Sequence, residues 1–153
     1  MADVHDQQTR SRNMAAIRDK NTKPELLVRK ALFARGFRYR LHDPKLPGKP
    51  DLVFPRYNAV IQINGCFWHG HDCHLFKWPA TRQDWWHNKI NRTREVDDRS
   101  QHDLNRLGWR VLTVWECALK GKTRLDSEEL MDDIADWLSV ADSNYQLAGT
   151  NSE

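Results

Sequence analysis

Cysteine is scarce in this chain, with three among 153 residues. Three thiols cannot all pair, which excludes a small scaffold stapled by disulfides. Two of the three lie close to three histidines, so metal ligation is the expected use. Long apolar runs are missing as well. No stretch reaches the length of a membrane span and the amino terminus carries no apolar signal segment. A soluble intracellular protein with no membrane partner is expected. There is no internal repeat and no low-complexity tract. A large excess of one charge is also lacking: 24 Lys and Arg against 21 Asp and Glu leave a formal +3. That balance alone says nothing about nucleic acid.

What the chain does have is unevenly spread. Residues 10–40 are rich in Lys and Arg and poor in acids, whereas 126–136 are mostly acidic. One basic face meant for a polyanion follows. Seven tryptophans are many for this length, and at least four fall in or just beyond the Cys/His-rich stretch.

The length suits a single domain with a real core. Residues 1–21 are polar and read as an arm, 22–140 as the folded domain, and 141–153 as a disordered tail. A helix is predicted over 22–35, with Thr22 and Glu25 as a capping box, Pro24 in the first turn and Gly36 at the end. Its apolar face is Leu26, Leu27, Ala31 and Leu32. Alternation of Phe37, Tyr39 and Leu41 with Arg38, Arg40 and His42 predicts a half-buried strand. Pro44, Pro47, Gly48 and Pro50 then break the chain. Short strands are predicted at Asp51–Phe54, Ala59–Ile63 and Trp109–Trp115. A long polar helix spans about 81–107 and an amphipathic one 126–138. Helix, three strands, helix, strand, helix is an α/β order built around a mixed sheet.

Two constellations carry chemistry. Cys66, His71 and Cys73 fall within eight residues, and Cys117 follows a strand. Three thiolates and one imidazole could close a tetrahedral zinc site with no open position, hence structural. By spacing alone His69 and His74 compete with His71, and the bland alternative is three buried free cysteines among solvent histidines. The second constellation centres on Asp51, which follows Pro50 at a strand edge. Nucleases of the Pro-Asp…Glu-x-Lys type present a metal-binding Asp in a similar way. Where they carry an acid and a lysine, this chain has Gln62 and Asn64, which cannot serve alike. Other groups must complete the site, and the candidates are His69, Glu25 and Asp97. Taken singly, Glu25 is equally a capping residue and Asp97 one charge on a wet helix.

The segments TRSRNMAAI, TKPE, LPGKPDLVF, INGCFWHGHDC, FKWPATR and LGWRVLTVWEC, spread over residues 9–117, together resemble the very short patch repair mismatch endonucleases of bacteria. The resemblance implies a restriction-endonuclease-like fold with structural zinc. It also implies magnesium-dependent nicking of one strand of duplex DNA beside a thymine mispaired with guanine, the product of 5-methylcytosine deamination. By matching position, Asp51 and the Ile63 carbonyl would hold magnesium, and His69 would act as base or acid on the attacking water. Glu25 and Asp97 would hold metal-bound waters, and Cys66, His71, Cys73 and Cys117 would bind zinc. Phe67, Trp68 and Trp86 would wedge into the duplex, with Met14 entering from the other groove and Lys89 at the mispair. Arg10, Arg12 and Arg18 would contact phosphates. The same likeness implies a bacterial cytoplasmic, nucleoid-associated monomer working beside a repair polymerase and mismatch-repair proteins.

Three positions depart from the family pattern. Asn64 stands where a histidine or aspartate is common, and Thr93 and Val96 where asparagine and arginine are usual. Two other functions fit the same residues: a site-specific nuclease that needs no mispair, and an inactive zinc module that binds distorted DNA.

Overall fold

In a computed structural model, residues 21–150 are described. The amino-terminal arm with Arg10, Arg12, Met14 and Arg18 lies outside the described residues.

The elements are α1 (Lys23–Ala34), β1 (Arg40–Leu41), β2 (Leu52–Phe54), β3 (Ala59–Asn64), α2 (Gln83–Arg106), β4 (Arg110–Trp115), α3 (Ser127–Val140) and β5 (Tyr145–Leu147). They form one sheet in the order β1-β2-β3-β4-β5. The first three strands pair antiparallel, while β3, β4 and β5 are parallel. Parallel neighbours need a crossover, which α2 and α3 supply. Asn58 turns β2 into β3 in the left-handed region, at φ 51°, a conformation that asparagine tolerates better than most residues.

Alternation along the strands divides the sheet into two faces. Leu52, Phe54, Ala59, Ile61, Leu112 and Val114 turn to one side. There they meet Val28 and Leu32 of α1 and Leu130, Ile134 and Leu138 of α3, all buried. Truncating one of these, such as Ile61→Ala, would cost about 2–5 kcal/mol. Val53, Val60 and Val111 turn to the other side and meet only Leu104 of α2 among buried residues.

α2 is therefore pinned at two places rather than packed along its length. Its only buried residues are Ile90 and Leu104. Thr93, Asp97, Ser100 and Gln101 lie between them on the same helical face, and they are half-buried. Opposite stand Gln62, Asn64 and Thr113 of the sheet. Polar groups on both walls cannot close into a core, so a cleft remains where the parallel strands end.

Several sequence expectations are corrected here. The buried stripe of α1 is Glu25, Val28 and Leu32, and Leu27 is 44% exposed. Thr22 does cap Glu25 N–H at 3.4 Å, but the Glu25 carboxylate accepts from Asn21 N–H rather than closing a capping box. Strand pairing starts only at Arg40. Phe37 and Tyr39 still pack edge-on against Phe54, with centroids 6.4 and 5.6 Å away. The segment expected as a disordered tail from 141 contains β5, which extends the sheet beyond β4. Gly149 N–H then donates to Cys117 Sγ at 3.2 Å. Tyr145–Leu147 is too short and too polar to register as a strand before its pairing edge exists.

Candidate active site and metal cluster

The register of β3 against β4 builds the cysteine cluster. Asn64 faces Trp115, so two residues further on Cys66 and Cys117 leave adjacent strands side by side. Cys117 N–H donates to Cys66 Sγ at 3.3 Å. The loop after β3 folds back through His71 N–H, which donates to the Cys66 carbonyl at 2.9 Å. Its imidazole stacks on Trp115 at 4.1 Å and 13°. Gly70 lets this loop lie flat on α2. Its φ is +62°, and a Cβ there would come within 2.4 Å of Ile90 Cγ2. The Arg94 guanidinium donates to the Gly70 carbonyl.

Cys66, His71, Cys73 and Cys117 thus gather ligand atoms all within 4.8 Å of one another, an arrangement that could hold a metal ion. The three cysteines form no disulfide. Burial pushes the Cys66 and Cys117 thiols up and the His71 imidazole down. Of the competing histidines, His74 lies instead beside Thr123 Oγ1 at 3.3 Å, and His69 faces Asp97.

Asp51 stands at the opening of β2. Its Oδ2 accepts the Ile63 N–H at 2.7 Å, which draws the carboxylate across to the end of β3. Glu25 arrives from α1 with a side chain only 2% exposed, held by Arg29 Nη1 at 2.8 Å. His42 completes the group, with Nε2 2.9 Å from both Glu25 oxygens and 3.9 Å from Asp51 Oδ1. Glu25, His42 and Asp51 form a second set of possible metal ligands. Burial, outweighing the Ile63 hydrogen bond, pushes the Asp51 carboxyl up to about 7, and the Glu25 charge adds to that rise.

Across the cleft, His69 Nδ1 meets Asp97 Oδ2 at 2.5 Å. A carboxylate there makes Nδ1 the proton-bearing nitrogen and leaves Nε2 as the acceptor. One cleft of about 920 Å³ is lined by Glu25, Asp51, Ile63, Asn64, His69, Lys89 and Asp97. The structure therefore brings Glu25, Asp51, His69 and Asp97 to one cavity, from α1, the residue before β2, the loop after β3, and α2. Phe67 and Trp68 line the same cleft.

These aromatics form a ridge beside it. Phe67 sits 5.2 Å from Trp68 and 5.3 Å from Trp86, and Trp68 is 6.1 Å from Trp86. All three are half-buried, so they pack on one another and still present surface. Trp85 extends the ridge, 44% exposed, under the Arg82 guanidinium at 4.8 Å.

His42 is the residue that sequence reasoning missed. The alternation of 37–42 put it among the outward polar residues. Its left-handed backbone, φ 47°, turns it inward instead. The one available signal was its place just before the Pro/Gly-rich turn that leads to Asp51.

Comparison with known proteins agrees with this geometry. Residues 2–75 match the family model described as DNA mismatch endonuclease Vsr. The chain is 46% identical over 147 residues to the DNA mismatch endonuclease Vsr of Escherichia coli (strain K12), covering 96% of this chain and 94% of that one. It is 45% identical over 122 residues to the type II nicking enzyme V.NmeAIP of Neisseria meningitidis serogroup A, covering 80% and 87%. Against the type II nicking enzyme V.XorIIP of Xanthomonas oryzae pv. oryzae it is 45% identical over 114 residues, covering 74% and 84%. Shared sequence over nearly the whole length, together with a cleft that gathers acids and a histidine, leads to one conclusion: this chain belongs to the Vsr family of DNA mismatch endonucleases.

Proposed function

We propose that the protein nicks one strand of duplex DNA beside the thymine of a T:G mispair, by magnesium-dependent hydrolysis of a phosphodiester. The observation that carries this reading is the cleft between α2 and the sheet, with Asp51 and Glu25 on one wall and the His69–Asp97 pair on the other.

The donor set fits the ions implied. The two carboxylates of Asp51 and Glu25, with the Ile63 carbonyl beside them, offer hard oxygen donors of the kind that suit Mg2+, and His42 adds a nitrogen to the same group. Asp51 and the Ile63 carbonyl would hold it, with Glu25 and Asp97 holding its waters. Bound there, Mg2+ supplies positive charge against the phosphorane that forms in the transition state. Asp97 fixes the His69 tautomer, and His69 Nε2 accepts the proton of the attacking water. Asn64 lines the same cleft and offers an amide to the phosphate oxygens. Three soft thiolates and an imidazole suit Zn2+. A tetrahedral ion with bonds of about 2.3 Å would place sulfurs about 3.8 Å apart, compatible with ligand atoms within 4.8 Å. Such an ion keeps the Cys66–Cys73 loop folded, and that loop carries Phe67, Trp68 and His69.

Selectivity follows from the cost of unstacking. A mispaired step opens more cheaply than a matched one, so insertion of Phe67, Trp68 and Trp86 is favoured there without a full reading of bases. Lys89, facing the same cleft, would contact the mispair, Met14 would enter from the opposite groove, and Arg10, Arg12 and Arg18 would contact phosphates. A monomer matches the need to cut one strand only.

The test is a labelled duplex with one T·G pair and its T·A control, incubated with magnesium and the zinc-loaded protein. Nicking confined to the thymine strand of the mispair, and absent in Asp51→Asn, supports the reading. Equal cutting of both duplexes would replace it with a site-specific nicking enzyme. Binding without cutting would leave a mismatch-binding module.

A further inference from the structure

We propose that His42 is a positioning residue for this reaction, which sets the Glu25 carboxylate against Asp51 so that both acids face one cation. The inference rests on the reading of Asp51 as the magnesium ligand.

Glu25 and Asp51 come from different elements, α1 and the start of β2, and no direct connection along the chain holds them in register. His42 is tied to both. Its backbone N–H donates to the Asp51 carbonyl at 3.1 Å. Its Nε2 lies 2.9 Å from each Glu25 oxygen and 3.9 Å from Asp51 Oδ1. A single imidazole N–H shared by two carboxylate oxygens fixes the plane of that carboxylate, which one contact at either oxygen alone would not do. The remaining partners of Glu25, Arg29 and Asn21, lie in its own helix or just before it, so they cannot register it against β2. The backbone of His42 adopts φ 47° to reach this place. A backbone held in a conformation that L-residues seldom adopt, beside one buried and one half-buried acid, points to a geometry maintained for a site.

With ligand oxygens within 4.8 Å of one another, the two carboxylates repel when both are charged, and a cation bound by both would relieve that. A donor that fixes the plane of one of them sets how both would face the ion. Loss of such an outer partner commonly weakens metal affinity about 10- to 100-fold. Removing His42 leaves Glu25 its bonds to Arg29 and Asn21, so the carboxylate keeps partners in and just before its own helix.

The experiment compares His42→Ala, His42→Gln and Asp51→Asn in the full, zinc-loaded chain. Gln reaches about as far as His and keeps an N–H donor, whereas Ala has none. Three quantities are read: Mn2+ binding from the loss of the free-ion paramagnetic resonance signal, Mg2+ dependence of nicking, and zinc content by plasma mass spectrometry. For His42→Ala we expect Mn2+ affinity to fall and the Mg2+ midpoint to rise, each about 10- to 100-fold. His42→Gln should recover most of both, and the zinc content of all three variants should match that of the wild type, since none of them touches the cysteine cluster. Equal Mn2+ binding by wild type and His42→Ala overturns the proposal, as does a Gln variant as impaired as Ala. Normal nicking by Asp51→Asn would overturn the magnesium reading itself, and is thereby told apart from a failure of His42 alone.

Discussion

Replacing Asp51 by Asn should abolish nicking and yet stabilise the metal-free protein, with a gain that depends on pH. Burial and the neighbouring Glu25 charge lift the Asp51 carboxyl to about 7, while an unfolded chain holds it near the usual value of about 3.9. The folded state therefore binds a proton that the unfolded state releases, throughout the interval between those values. A raised carboxyl gives stability that is present at low pH and is lost as pH rises toward 7. Between about pH 5.5 and 8.5 the wild type should lose about 2 kcal/mol through this one group. An amide at position 51 can still accept the Ile63 N–H, observed at 2.7 Å, and carries no charge to lose. Thermal unfolding followed by circular dichroism at the two pH values, without added Mg2+, should therefore show a melting difference between variant and wild type. That difference should widen by about 4–8 °C at the higher pH, at about 2–4 °C per kcal/mol for a chain of this size. Added Mg2+ should narrow the gap by stabilising the wild type alone. A gap of the same size at both pH values would refute the argument that Asp51 is strained by burial.

The remaining predictions concern the other parts of the site. Cys117→Ala should lower the zinc content measured by plasma mass spectrometry, and hydrogen exchange should quicken in 145–150, because the Gly149 N–H then loses its acceptor. Nicking by His69→Ala should fall about 10²- to 10⁴-fold in single-turnover assays with DNA affinity retained; Asp97→Asn, which leaves the ring present but misdirected, should fall less. Trp68→Ala should weaken binding to a mispaired duplex by about 1–3 kcal/mol in a fluorescence titration, and a loss as large on matched DNA would argue against insertion. Asn64→His should raise the single-turnover rate over the parent, and no gain would show that the amide is not a compromised catalytic group.

The elements with strong local signals were legible in the sequence. Thr22 before a Pro-Glu turn, Gly108 after a long polar run, and Asp126 ahead of an amphipathic stretch each mark a helix end through bonds made within one turn. The apolar runs of β2, β3 and β4 were legible for the same reason, since burial demands apolar side chains whatever the neighbours. Composition also brought Cys66, His71, Cys73 and Cys117 forward as one set and Asp51 as an acid at a strand edge.

Other features depend on contacts between distant parts of the chain, and only the tertiary structure decided them. β5 is a strand because β4 offers it an edge, not because Tyr145–Leu147 prefers extended backbone. Glu25 is buried inward on α1, and Leu27 faces out, because an ion pair with Arg29 and a hydrogen bond with His42 make a buried carboxylate tolerable. His71 rather than His69 or His74 joins the cysteines, since Trp115 stacks on one ring while Asp97 and Thr123 take the others. His42 enters the site through a single left-handed residue that reverses the alternation of its strand. Residue type limits which chemistry a position can perform; which groups meet is set by sheet register and by the backbone turns between strands, and neither is written in any one segment.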